Sequence, residues 1–95
     1  MPEEIQHERS GHRGAFVIRQ GERRMAEMTY TAAQSLAIID HTSVDEALRG
    51  TGASRRLVQA AVEWARAENV KLLPLCPFAR YVFDKTPEYA DVLAP

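Results

Sequence analysis

Three places in the chain hold groups that can do chemistry. The run Arg49-Gly50-Thr51-Gly52-Ala53-Ser54 puts small residues ahead of an amphipathic stretch. A helix N-terminus leaves backbone N–H groups unpaired and carries about half a positive charge, so small residues there let a phosphate approach closely. The run lacks the lysine and following Ser/Thr of a triphosphate loop, and its glycine spacing is not the dinucleotide fingerprint. A pyrophosphate suits it, and so does a plain tight turn. The second place is Leu75-Cys76-Pro77-Phe78, which holds the only cysteine. A thiol that opens a helix ionises more readily than a free one, whereas a buried structural cysteine is inert. The third is Asp40-His41-Thr42, where His41 is either a general base or a surface histidine at a strand end. His7 and His12 show no metal-ligand spacing with each other or with Cys76, so no metal site is expected.

Positioning these groups falls to elements that the hydrophobic pattern outlines. A short opening segment lies around Ile5 and His7, and residues 10–14 read as a loop. Ala15-Phe16-Val17-Ile18-Arg19 is dense in aromatic and β-branched residues and stops at Gln20-Gly21, a hairpin turn. Ala26, Met28 and Tyr30 then alternate with Met25, Glu27 and Thr29, which marks a half-buried antiparallel partner. From 35 to 44, Leu36, Ile38 and Asp40 fall on one face, and Ala37, Ile39 and His41 on the other. Two apolar faces place this strand centrally.

Past the glycine run, Leu57, Val58, Ala61, Val62, Trp64 and Ala65 share one arc of a helix that reaches about Glu68 and stops at Asn69. Residues 70–75 return as a strand. Strand, glycine turn, helix and strand make a βαβ unit with parallel strands. Pro74 cannot donate to a ladder, so this strand should leave its neighbour near its end. That places Cys76 where open α/β sheets hold ligands, within reach of His41 if both side chains point into the gap. Pro77 suits a first helical position, with Phe78, Tyr81 and Val82 at i, i+3 and i+4, and Thr86 suits the N-cap of a last helical turn.

Ninety-five residues with 45% apolar side chains make one domain, 1–95, whose core leaves room for a site only at its rim. Twelve basic and 13 acidic groups give a net charge of −1, too little to draw in nucleic acid or an anionic membrane. No apolar run is long enough for a membrane span, and no basic segment precedes an apolar one at the N-terminus. With a single cysteine, the expected setting is a reducing cytoplasm.

Taken in order, the antiparallel strands, His41-Thr42-Ser43-Val44, the block from Leu48 through Arg49-Gly50-Thr51-Gly52-Ala53-Ser54 to Val58, Leu75-Cys76-Pro77-Phe78 and Thr86-Pro87-Glu88-Tyr89 resemble the small stand-alone GNAT-like N-acetyltransferase family. The resemblance implies an α/β (α+β) fold: antiparallel strands, then a βαβ unit with splayed parallel strands, then C-terminal helices. It implies acetyl-CoA as cofactor. Arg49, Gly52 and Ser54 fall on the family's Q/R-x-x-G-x-G/A pattern, with Ser54 in place of the usual Gly or Ala. The pyrophosphate would rest on the loop and helix start, drawing on Arg49, Gly50, Thr51, Gly52, Ala53, Ser54 and Arg55. The pantetheine arm would pair with the backbone between Asp40, Thr42 and Val44, beside Phe78 and Tyr81. Cys76 and His41 match catalytic positions. Full-size members carry helices between their first two strands that shape the acceptor site; this chain has only a short interval there.

Acetyl transfer to an amine is therefore the leading expectation, direct or through Cys76. A CoA-binding or interaction module without catalysis is the alternative; it would need the glycine loop but neither Cys76 nor His41. A thiol hydrolase ranks last, since Asp40 adjoins His41 on the strand and faces away from it.

Overall fold

Four consecutive runs of alternating polarity fold back and forth, and a fifth strand joins them after a helix. The computed structural model describes residues 5–95. Strands β1 (Ile5–Ser10), β2 (Arg13–Gln20), β3 (Arg23–Ala33) and β4 (Leu36–Val44) pair antiparallel in sequence order. Helix α1 (Ala53–Glu68) leads to β5 (Lys71–Pro74), which pairs parallel with β4. Helix α2 (Pro77–Lys85) and a 3-10 segment, Pro87–Val92, follow. The strand order is β1-β2-β3-β4-β5, so β4 is interior, as its two apolar faces require.

Residues opposed across a strand pair share a face, so the register sorts the side chains. One face carries Phe16, Ile18, Ala26, Met28, Tyr30, Ala37, Ile39 and Leu72, all buried. They form one core with Leu57, Val58, Ala61, Val62 and Ala65 of α1 and with Ala79, Val82 and Phe83 of α2. Trp64 sits at the edge of this arc, half-buried, its ring 5.0 Å from His7 and 5.1 Å from Tyr30. The opposite face holds charge. Arg19 pairs with Glu8 at 2.7 Å, and Arg24 with Glu8 at 2.9 Å and Glu27 at 2.6 Å. Val17, beside Glu27 in the register, is fully buried on that face, consistent with cover from the aliphatic stems of these long side chains.

Several sequence expectations need correction. Residues 10–14 are not a loop. Ser10 closes β1 and Arg13 opens β2, and only Gly11 and His12 make the turn, with Gly11 at φ 63°. Gly14 lies within β2, opposite Tyr30, and a Cβ there would run into the Tyr30 ring. It is a glycine of close approach, not of turning. The next turn is Gly21-Glu22 rather than Gln20-Gly21, since Gln20 still pairs with Arg23. Val70 is not in a strand; its N–H bonds the Ala65 carbonyl and closes α1 behind Asn69, which is left-handed at φ 59°. Thr86 does stand at the N-cap of the last segment, but its side chain makes no capping bond.

A shift of register matters most for function. Thr29 pairs with His41 while its neighbour Tyr30 pairs with Ile39, so Asp40 is one residue too many on β4. This bulge resets the alternation. Leu36, Ile38 and Asp40 keep the expected outer side and Ala37 and Ile39 the core side, but beyond Asp40 it is Thr42, opposite Met28, and Val44, opposite Ala26, that turn toward the helices.

Candidate active site

The parallel pairing of β4 with β5 ends at Ile39 and Pro74. There the Ile39 carbonyl accepts both Leu75 N–H, at 3.1 Å, and Cys76 N–H, at 3.2 Å, and β5 departs as Pro74 predicts. Beyond that point β4 has no strand partner on this side among the described residues. The Asp45 N–H to Met25 carbonyl bond fixes the ladder alternation on the β3 side. Glu27–Ser43 and Thr29–His41 are then the hydrogen-bonded pairs, and Thr42 and Val44 turn their backbone N–H and C=O toward the edge that β5 has left.

Asp45 next caps a short 3-10 turn, Glu46–Leu48, accepting Ala47 N–H at 2.9 Å. Gly50 and Gly52 follow at φ 81° and 82°, left-handed values that let the chain reverse into α1 with Gly52 as N-cap. The Thr51 hydroxyl donates to the Leu48 carbonyl, and the Thr51 carbonyl accepts from Arg56 Nη1 at 3.0 Å, so this loop is held from both sides. Gly52 offers no side chain to the α1 N–H groups, and the first turn contains no acidic residue. The positive end of the helix carries Arg55 and Arg56 instead, the reverse of the charge placement that would stabilise it alone.

A groove of about 400 Å3 runs between these parts. Nine of the residues expected to hold a cofactor line it: Thr42, Val44, Arg49, Gly50, Gly52, Ala53, Ser54, Arg55 and Phe78. Leu48 lines it too and was missed; it is a buried leucine in a three-residue turn, too short for periodicity to flag. Other expected residues lie elsewhere. Thr51 is exposed and bonds back to its own loop. Tyr81 is half exposed on α2, its ring 6.5 Å from Phe78 with Lys85 Nζ 5.8 Å above it. Asp40 is on the outer face, accepting from the Thr31 hydroxyl at 3.0 Å.

Cys76 is the N-cap of α2 and is buried. Its Sγ donates to Thr42 Oγ1 at 3.3 Å, and Thr42 is a wall of the groove. Burial pushes the thiol pKa up. Against that, the Thr42 hydroxyl and the backbone N–H groups of Ala79, Phe78 and Thr42 favour the thiolate, and together they prevail: Cys76 ionises below its ordinary value. The expected approach of His41 to Cys76 is not found. Because of the bulge, His41 is exposed on the outer face, opposite Thr29 and away from Thr42. Among the described residues no group of three metal-ligating side chains is placed to hold a metal ion, and no helix is long and apolar enough to cross a membrane.

A mixed sheet whose parallel strands part beside a glycine-led helix start, with a groove between them, defines the class of GNAT-type acyltransferases. Residues 15–92 match the family model for the GCN5-related N-acetyltransferases, and the chain belongs to that family. It is an N-acetyltransferase domain, of a family that generally uses acetyl-CoA.

Among solved structures, a protein from Staphylococcus aureus described as a GCN5-like candidate N-acetyltransferase is 33% identical, with a TM-score of 0.73 over 96% of this chain and 87% of that one. The ribosomal-protein-S18-alanine N-acetyltransferase of Escherichia coli is 14% identical with a TM-score of 0.68, over 82% of this chain and 54% of that one. A ribosomal-protein-alanine N-acetyltransferase from Brucella melitensis is 18% identical with a TM-score of 0.65, over 90% and 64%. These two show the shared fold. A search of the curated proteins found no match.

Proposed function

We propose that this domain binds acetyl-CoA in the groove between β4 and α1 and moves its acetyl group to an amine by way of Cys76. One observation carries the reading. The groove joins an uncapped helix start flanked by arginines to a wall, Thr42, that is bonded to an ionisable thiol. The backbone edge of Thr42 and Val44 lies between the two ends.

The donor chemistry fits a CoA thioester at each step along the groove. The N–H groups of Ala53, Ser54 and Arg55 are first-turn donors that the helix cannot use, and with Arg49 and Arg55 they meet the charge of a pyrophosphate. Thr42 and Val44 offer an added-strand pairing to the amide groups of a pantetheine arm. Phe78 supplies an apolar wall.

The Cys76 thiolate attacks the thioester carbonyl carbon; a bond to Cys76 Sγ forms, the bond to the CoA sulfur breaks, and CoA leaves as its thiolate. An amine then attacks the acetylated Cys76, the bond to Sγ breaks, and the amine gives up a proton. That proton returns to the departing Cys76 thiolate, directly or through solvent, and His41, on the outer face, takes no part in the step.

The test is incubation with acetyl-CoA followed by mass measurement of the Cys76 peptide, then addition of polyamines and lysine peptides. An acetyl adduct on Cys76 that an amine discharges supports the route. CoA release without any adduct would replace it with direct transfer. CoA binding with neither adduct nor release would leave a binding module.

A further inference from the structure

We propose that Thr42 is the positioning residue for the Cys76 thiol, its hydroxyl holding Sγ against the groove in the place that a histidine takes in cysteine–histidine pairs. The inference deepens the acetyl-cysteine route above and rests on it for its catalytic meaning. The geometric basis is threefold. Thr42 Oγ1 is 3.3 Å from Sγ. The bulge at Asp40 is what turns Thr42, and not His41, to the thiol's side of the sheet. Cys76 is fixed in turn, because its own N–H is tied to the Ile39 carbonyl at 3.2 Å and its carbonyl accepts Arg80 N–H at 3.0 Å.

A hydroxyl is suited to this post because it is both donor and acceptor. It accepts from the neutral thiol and, after ionisation, turns to donate to the thiolate, so Sγ keeps its partner through the change. The other groups that favour the ionised form are also uncharged: the amides of Ala79, Phe78 and Thr42. Charged side chains on the elements around the thiol, Asp40 and His41 on β4, Arg55 on α1 and Arg80 on α2, are exposed. Nucleophilicity at Cys76 therefore does not wait on the protonation state of a histidine. The thiol should titrate as a single group.

The test compares Thr42→Val, which keeps the branched shape and removes the hydroxyl, with Thr42→Ser, which keeps the hydroxyl. The chain without acetyl-CoA is titrated by thiolate ultraviolet absorbance, and acetyl uptake on Cys76 is timed separately. The valine variant should raise the ionisation midpoint by about one pH unit and slow uptake at neutral pH about tenfold, with serine recovering most of both. Matching thermal unfolding of the variants separates this from a packing effect; if valine disturbs the fold, Thr42→Ala takes its place. An unmoved midpoint in the hydroxyl-free variant, or a serine variant no better than valine, overturns the proposal. A shifted midpoint in a chain that takes up no acetyl group supports the role of Thr42 while removing the acetyl-cysteine route.

Discussion

Gly52 sets the angle at which α1 meets the groove, and replacing it with alanine tests the site's construction. Its φ of 82° and ψ of 14° are left-handed, and an added Cβ would find nothing nearer than Arg56 Nη1, at 4.0 Å. Crowding is therefore not the issue; the cost is that of the backbone conformation, about 1–2 kcal/mol for a residue with a Cβ. For a chain of 95 residues, each kcal/mol lowers the melting temperature by about 4–8 °C. Relaxing that strain tilts the first turn of α1 and misdirects the N–H groups of Ala53, Ser54 and Arg55. Spoiling one hydrogen bond to a charged group costs about 1.5–3 kcal/mol, so CoA should bind at least tenfold more weakly.

Gly21→Ala is the control. Gly21 has φ 61° and open space around it, but it lies in the hairpin turn between β2 and β3, outside the groove. Both variants should melt several degrees lower by circular dichroism, and only Gly52→Ala should lose affinity by calorimetric titration with CoA. Gly52→Asn should recover much of the stability, since asparagine tolerates left-handed φ. If Gly52→Ala binds CoA as wild type does, or if Gly21→Ala weakens binding equally, the anion site is not at the start of α1.

His41→Ala should leave the ionisation midpoint of Cys76 where it is, because the bulge turns His41 to the other face; a midpoint moved by half a unit or more would place the ring near the thiol after all. Gly14→Ala forces a Cβ into the Tyr30 ring, which His7 Nε2 holds by a hydrogen bond at 2.5 Å, and should destabilise the domain by about 1–3 kcal/mol in urea unfolding. His7 gives a pH dependence. Burial first, then the charge of Arg9, lowers its pKa below 6.5, with Glu68 opposing. The neutral ring therefore adds stability above the unfolded pKa, and that contribution is lost as pH falls through the folded one. The urea midpoint should drop on acidification from pH near 7 toward 5, and drop less in His7→Phe, in which the group that titrates is gone.

The fold was legible in the sequence wherever periodicity runs longer than a turn. The alternation of Ala26, Met28 and Tyr30, the apolar arc of α1, and Pro74 as the end of a parallel strand are all present in the structure. What the pattern concealed are single-residue events. An extra residue at Asp40 leaves composition and alternation unchanged along the sequence, yet it exchanges the faces of His41 and Thr42. For that reason strict alternation points the histidine at the thiol and leaves the threonine only a backbone role. Gly14 looked like loop because glycine usually marks turns, and only the neighbouring strand shows that the space belongs to Tyr30. In the glycine loop the residue types themselves carry the meaning, so most of its groove-lining members were found in advance.

The Ile39 carbonyl, shared between Leu75 and Cys76, divides β4 into two stretches under different constraints. Before it, each residue is locked on both edges, and substitutions there answer to the stability of the whole domain. Past it, the strand is a half-free rail whose inner edge meets no other strand among the described residues. Val44 is the inner-facing residue of that rail that does not hold the thiol, so accommodation of a different thiol carrier should begin there rather than at Thr42.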